Sequence, residues 1–322
     1  MKRLQIPKFW NDDTLSSKIL APLAWLYGKI VVLRSQNPKP EKIDIPIICI
    51  GNVIIGGAGK TPVAMAIAKI LIRDGINVHF LTRGYKGSLK GPVEVNSKIH
   101  NFEDVGDEAL LLSKISKTWI SHNRYLGAEA ASKAGAQTII MDDGFQNSSI
   151  FKDSSFLVVD GGYGFGNKKL IPAGPLREKI DHAIKRADAA IIIGKDRRNI
   201  IQEIGGKIKI IRGRIRVNKK YYSLKNKNCL AFCGIGMPEK FFSTLESIGV
   251  KIKKKYTFPD HHKYSSEEID QICKAGKNLK AEIITTEKDF MRLPKKPLMK
   301  IKTLPITIEW EKKEEVMKLL RK

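Results

Sequence analysis

Cysteine is scarce in this chain: four residues in 322, Cys49, Cys229, Cys233 and Cys273, with no paired spacing of the kind that holds a metal ion. Cys49 and Cys229 fall in apolar strand patterns, so the four are read as reduced core residues of a cytosolic protein. Long apolar runs are absent too. The longest, Ile19 to Leu33, has about fifteen residues where roughly 18 to 20 are needed to span a bilayer. No small-residue cleavage site follows it, which argues against a signal peptide. Internal repeats and low-complexity stretches are missing, which excludes solenoid arrays. Acidic residues are in deficit, 33 Asp and Glu against 58 Lys and Arg, for a net charge of +25. That balance favours an anionic partner, whether nucleic acid, an acidic membrane surface or a phosphorylated substrate.

What the chain does have is Gly51-Asn52-Val53-Ile54-Ile55-Gly56-Gly57-Ala58-Gly59-Lys60-Thr61-Pro62. It follows the apolar run Ile45 to Ile50 and precedes a segment whose Ala64, Ile67, Ala68, Ile70 and Leu71 share one helical face. Strand, glycine loop and helix in that order make a phosphate-binding loop. Backbone N–H groups of Ile54, Ile55, Gly56, Gly57, Ala58, Gly59, Lys60 and Thr61 close around phosphate oxygens, and the helix N-terminus adds its positive end. Lys60 supplies a charge and Thr61 a magnesium ligand. The common G-x-x-x-x-G-K-[ST] pattern would put glycine at position 54, where this chain has Ile54; the paired Gly56-Gly57 matches a deviant GGxGK[ST] loop instead.

Three further clusters carry chemistry. The strand Gln137 to Met141 ends in Asp142-Asp143-Gly144-Phe145-Gln146, and an acid at a strand tip downstream of a phosphate loop orders magnesium or its water shell. Either aspartate can serve. Asp107 and Glu108 open a helix, either as first-turn acids that favour the helix dipole or as a carboxylate that accepts a hydroxyl proton near a transferred phosphate. In Phe258-Pro259-Asp260-His261-His262-Lys263-Tyr264 the adjacent histidines point to opposite sides and are poor joint metal ligands. A histidine there could tune a catalytic acid, or the cluster is a loop ahead of a helix capped by Ser265 or Ser266, with Glu268 as capping-box acid. Arg83 and Lys86, in a loop after the strand Val78 to Leu81, are anion holders or a solvated turn.

The expected fold is α/β: a P-loop kinase-like α/β/α domain with an N-terminal membrane-associated helix and a second, smaller α/β domain joined by a β-hairpin linker. The helix occupies 1–35, capped at Ser16 or Ser17. Trp10, Trp25 and Tyr27 suit an interface, and Lys2, Arg3, Lys8, Lys18, Lys29 and Arg34 suit anionic headgroups. Asn37 to Pro40 leads into the kinase domain, 36–211. Arg212 to Leu224 alternates apolar and polar residues around Asn218-Lys219-Lys220, so 212–225 is taken as the hairpin. The C-terminal domain, 226–322, closes with a strand at Leu304 to Glu309 and a helix at Glu311 to Leu320.

In their order along nearly the whole chain, Gly51 to Pro62, Thr82 to Gly87, Val105 to Ala109, Met141 to Gln146, Pro172 to Glu178, Asp260 to Tyr264 and Thr286 to Arg292 resemble the tetraacyldisaccharide 4'-kinases, the lipid A 4'-kinases of Gram-negative bacteria. The resemblance implies a peripheral or monotopic enzyme on the cytosolic face of the inner membrane. It would move the γ-phosphate of ATP, with Mg2+, to the 4'-hydroxyl of tetraacyldisaccharide 1-phosphate, giving lipid IVA, with no obligate protein partner and no nucleic acid. It further implies Asp107 as catalytic base, paired with and tuned by His261 or else His262, with Lys60 on the phosphates and Thr61 with Asp142 or Asp143 on the metal. Weaker implied cleft residues are Arg83, Glu108, Arg124, Gln146 and Glu178. Lys168-Lys169 departs from the family's glycine-arginine, which puts a bidentate phosphate contact in doubt. Two competing readings are a membrane-associated deviant-P-loop NTPase switch, which would usually carry an Asn-Lys-x-Asp not found here, and a nucleic-acid-binding ATPase. The latter would interleave aromatics with a basic stripe, whereas Trp119 and Trp310 stand alone.

Overall fold

The computed structural model describes residues 7–35, 39–294 and 301–320. Lys2 and Arg3 of the expected interfacial cations, and Asn37 and Pro38 of the expected linker, lie outside these. Among the described residues the strands are β1 Ile47–Gly51, β2 Val78–Thr82, β3 Val93–Glu94, β4 Thr118–Ile120, β5 Thr138–Asp142, β6 Ser154–Asp160, β7 Ala189–Ile193, β8 Lys209–Val217, β9 Asn228–Cys233, β10 Lys251–Thr257, β11 Glu282–Thr286, β12 Ile301–Leu304 and β13 Ile306–Trp310.

Nine of these form one sheet in the order β13-β8-β7-β6-β1-β5-β2-β4-β3, parallel except for the antiparallel edges β13 and β3. Helices cover both faces, so central strands are buried throughout and read as unbroken apolar runs: Ile47–Gly51, Thr138–Asp142 and Ala189–Ile193. On one face the Lys60–Arg73 helix packs Ala64, Ile67 and Leu71 onto Ile50, Phe80 and Ile140. The opposite face gathers Cys49, Val53, Phe145, Leu157 and Val159, and farther along Leu81, Ala128 and Met141. β1 lies between β5 and β6, so the loop that leaves its C-terminal end opens where doubly wound sheets bind ligands.

The second sheet, β10-β9-β11-β12, is wholly parallel. Phe241, Phe242 and Leu245 of the Pro238–Ser247 helix fill one side, and Ile269 and Ile272 of the Ser266–Asn278 helix the other. Ser265 and Glu268 form the capping box that the sequence announces.

The hairpin expected at 212–225 is not a hairpin. Arg212–Val217 belongs to β8, whose antiparallel partner is β13 from near the C-terminus, and Lys219–Leu224 is a 3-10 turn. Leu224, with Tyr221, packs into the small-sheet core. Burial of Leu224, with Tyr221 packed partly against it, ties the turn to that core. Residues 306–320, expected in the C-terminal domain, instead pair and pack with the large sheet, where Ile308, Val316 and Leu319 join its core.

The N-terminal segment differs in detail. Lys8–Trp10 is a 3-10 turn, and a short helix, Leu15–Ile19, is capped by Thr14 rather than by Ser16 or Ser17, with Ser17 returning the capping-box bond. Ala21–Ser35 follows as the main helix. The helix is docked through Tyr27, whose hydroxyl donates to the Arg177 carbonyl, and the preceding turn through Trp10, whose indole N–H donates to the Pro172 carbonyl. Among the described residues no helix is long and apolar enough to cross a membrane.

Candidate active site

Val53-Ile54 leaves β1 into the loop as buried chain, and Ile55 emerges at the surface. Ile54 pairs with Leu176, and the Ile55 N–H donates to the Pro175 carbonyl at 2.9 Å. The Ile54 side chain lies in the core with Val53, Phe145 and Leu176. This explains the departure from glycine: the position is a bridged, packed strand extension, which an unbranched hole would destabilise by about 2 kcal/mol or more. Gly59, at φ +89°, caps the Lys60–Arg73 helix in the left-handed region where a side chain is strained.

Lys60 and Thr61 open that helix. Lys60 Nζ donates to Asn52 Oδ1 at 3.1 Å and lies 3.5 Å from Asp143 Oδ1. Thr61 Oγ1 donates to Asp142 Oδ2 at 2.8 Å, while Asp142 Oδ1 is buried without a hydrogen-bond partner. Environment separates the two neighbouring carboxylates. Burial and the charge of Glu108 push Asp142 up to about 7. Burial also opposes ionisation of Asp143, but Lys60 and Arg177 outweigh it and hold that carboxyl below its usual range. An orphaned buried oxygen beside a threonine hydroxyl fits the donor set of a hard divalent cation.

Across the cleft, Asp107 opens the Asp107–Leu112 helix behind Gly106 and is 3 % exposed. His261 Nδ1 is 2.9 Å from Asp107 Oδ2 and 3.2 Å from Oδ1; Arg292 Nε reaches Oδ2 at 3.1 Å. Lys288 Nζ donates to Glu108 Oε1 at 3.0 Å and stands 3.3 Å from His261 Nε2. An ammonium can only donate, so this network assigns the proton to Nδ1, facing Asp107, and the lone pair to Nε2. Burial works against the charge on Asp107, yet Lys288, His261 and Arg292 hold its carboxyl well below the usual carboxylate range. His262 pairs with Glu268 at 2.9 Å and takes no part. Asp107 and Glu108 come from the large sheet's side and His261, Lys288 and Arg292 from the small one. The pair therefore exists only where both are together.

Between the halves lies a cavity of about 930 Å³ lined by Gly56 to Thr61, Glu108, Asp143, Arg177, His261 and Lys288, among others. Asp107 stands behind His261, outside that lining. Arg83 and Arg124 do not line it either. Arg124 is buried and donates to the Ser121 carbonyl; burial and Arg83 push its guanidinium down to about 10. Gln146 fastens the loop from beneath, its amide donating to the Asn52 carbonyl at 2.7 Å and to Glu178 Oε1 at 3.1 Å. Lys168 pairs with Glu203 at 2.8 Å and Lys169 with Asp13 at 2.6 Å, so Lys169 holds the N-terminal segment rather than the cleft. Residues that sequence reasoning left without a site role are Asn52, Arg177, Lys288, Arg292, Asp160 and Lys240. The first four sit inside motifs already noted, which was their signal; Lys240 had none among 58 basic residues.

Similarity to known proteins extends over nearly the whole chain. The profile of the tetraacyldisaccharide-1-P 4'-kinase family matches residues 16–322. The tetraacyldisaccharide 4'-kinase of Paramagnetospirillum magneticum is 43% identical over 309 residues, covering 96% of this chain and 95% of its own. That of Rhodospirillum rubrum is 43% identical over 295 residues, covering 90% and 89%. The crystal structure of LpxK from Aquifex aeolicus in complex with ATP superposes with a TM-score of 0.78 at 27% identity, covering 95% of this chain and 98% of that one. The family match over residues 16–322, with relatives 43% identical over nine-tenths or more of the chain, places the chain in the tetraacyldisaccharide-1-P 4'-kinase family.

Proposed function

We propose that the chain transfers the γ-phosphate of ATP to the 4'-hydroxyl of tetraacyldisaccharide 1-phosphate. The observation that carries this reading is the Asp107–His261 pair, held across one cavity from Lys60 and Thr61. Phosphoryl transfer asks a protein for alignment and charge neutralisation, and one group to take the hydroxyl proton. The 4'-oxygen attacks the γ-phosphorus, the bond to the bridging β,γ-oxygen breaks, and ADP leaves. The hydroxyl proton passes to the Asp107–His261 pair, with His261 on the cavity side and the Asp107 carboxylate stabilising the charge that develops. Loop amides between Gly56 and Thr61 and the Lys60 ammonium hold the phosphates; Ile54 and Ile55, expected among them, are not free to do so, since Ile54 is packed in the core and the Ile55 N–H is taken by the Pro175 carbonyl. Thr61 and Asp142 would hold Mg2+, which neutralises β- and γ-oxygens when bound. Asp143, engaged by Arg177, positions Lys60.

The membrane side of the reading rests on the N-terminal segment. Leu15, Ile19, Leu23, Trp25, Leu26 and Leu33 are each more than half exposed, beside Lys18 and Lys29. An apolar face rimmed by cations suits an anionic bilayer surface, here the cytosolic face of the inner membrane, where an acylated acceptor keeps its chains in lipid while its sugar enters the cleft. The residue assignments, the cation and the membrane contact are tested together by labelled phosphate transfer from ATP to the lipid acceptor in mixed vesicles. Lys60→Ala and Asp107→Ala are expected to lower kcat by about 10² to 10⁴-fold. Wild-type silence on this acceptor would sink the reading, and full activity in Asp107→Ala would remove that residue from it.

A further inference from the structure

Lys240 projects from the first turn of the Pro238–Ser247 helix, on the small-sheet side, across the cleft to the nucleotide loop. Its ammonium makes an ion pair with Asp160, at the tip of β6 next to β1, and lies 3.5 Å from the Gly57 carbonyl oxygen. Asp160 is firmly seated: its Oδ1 accepts from the N–H groups of Tyr163 at 2.8 Å and Gly162 at 3.1 Å, and its side chain is 8 % exposed. Nearby, Gly236 packs against the same loop so tightly that a Cβ there would stand 3.2 Å from the Gly57 nitrogen. Both Lys240 and Asp160 line the cavity. Burial lowers the lysine's proton affinity, with Asp160 opposing that shift. The Lys240 side chain nevertheless keeps 33 % of its exposure, and an ammonium carries three donors, so pairing with Asp160 leaves it capacity for a further anion in the cavity.

We propose that Lys240 is a phosphate-binding residue supplied by the small-sheet side. Its ammonium contacts terminal phosphate oxygens of the nucleoside triphosphate held by Gly56 to Thr61, and Asp160 positions it. The proposal rests on the kinase reading above. Lys60 reaches the same loop from within the large-sheet side, so the triphosphate is gripped by one lysine from each half of the molecule. Nucleotide binding thereby draws the halves together, and charge spreading onto the transferred group's oxygens meets a cation aimed at it in advance.

Equilibrium titration of the full chain with ATP and with ADP, in the presence of Mg2+, tests this without any lipid acceptor. Lys240→Met is expected to weaken ATP binding by about tenfold and ADP binding far less. In the kinase assay it should lower kcat by about 10²-fold, with Lys240→Arg retaining most of both properties. The charge swap Lys240→Asp with Asp160→Lys separates phosphate binding from plain bridging between the halves. It should restore thermal stability but neither ATP preference nor turnover. Equal losses for ATP and ADP in Lys240→Met, or turnover recovered in the swap, would overturn the proposal. A wild type that binds ATP over ADP through Lys240 yet ignores the lipid would leave this inference standing and sink the acceptor instead.

Discussion

At the scale of the residue, Asp107 shows how position decides ionisation. Its burial alone would favour the neutral acid, but Lys288, His261 and Arg292 surround it and depress its pKa. A carboxyl whose folded pKa is depressed contributes stability that is fully present above its unfolded value, near 3.8, and is lost progressively as pH falls from there through the much lower folded value. Asp107→Asn, which removes one of the two carboxylates that buried Arg292 engages, Asp289 being the other, should therefore cost about 3 kcal/mol at pH 6 and a smaller but still substantial amount at pH 3. Urea unfolding at the two pH values measures this, and an equal loss at both would contradict it. The thiols offer a second check. Burial pushes Cys49 up to about 11 and Cys229 and Cys233 up to about 12, whereas Cys273 is only partly buried. A chromogenic disulfide reagent at pH 8 should titrate one thiol rapidly in the folded chain and all four after denaturation. Much of the site was legible residue by residue, because Lys60, Thr61 and the paired Asp142-Asp143 obey local rules of spacing. The choice of His261 over His262 was not. It is made by backbone: His261 sits at φ +58°, a strained conformation that turns one ring to Asp107 and leaves the other to Glu268.

At the scale of the element, periodicity found the buried strands and the helices behind them, since a strand covered on both faces or a helix with one apolar stripe writes its environment into sequence. It missed β10, Lys251–Thr257, whose run of lysines reads as solvated chain. This is an edge strand in which charge blocks pairing with another sheet. It also took β8 for half of a hairpin, because alternation reveals that a strand has two unlike faces and says nothing about which strand lies beside it. The N-terminal helix is the element whose exposed residues ask for a partner. Replacing Leu23, Leu26 and Leu33 together by Ser should abolish sedimentation with anionic vesicles, each side chain contributing about 1.5 kcal/mol or more to burial in lipid. The melting temperature should hold within a few degrees, as all three are more than half exposed. Undiminished vesicle binding would mean that the helix is not the anchor.

At the scale of the whole molecule, the net +25 conceals an ordered division of charge. Ion pairs that cross the cleft place the cation on the small-sheet side and the anion on the large: Lys240 with Asp160, Lys263 with Glu103, Lys288 with Glu108, and Arg292 with Asp107. Closure held this way should weaken with ionic strength, most through exposed Lys263–Glu103 and least through buried Arg292–Asp107. Energy transfer between dyes on the two halves is expected to fall between 0.1 M and about 1 M salt, where the screening length shrinks to about 3 Å, while secondary structure is retained. The two halves also meet the chain in an instructive way. Val217 and Ile306 are register partners in β8 and β13. The chain thus departs from the large sheet and comes back to it through neighbouring backbones of a single antiparallel pair. In terms of connectivity the small sheet has the position of an insert: a short turn joining Val217 to Ile306 would leave the nine-stranded sheet with every strand still in place. Such a closure would keep the nucleotide loop and Asp107 with the large sheet and remove His261 and Lys240 with the small one.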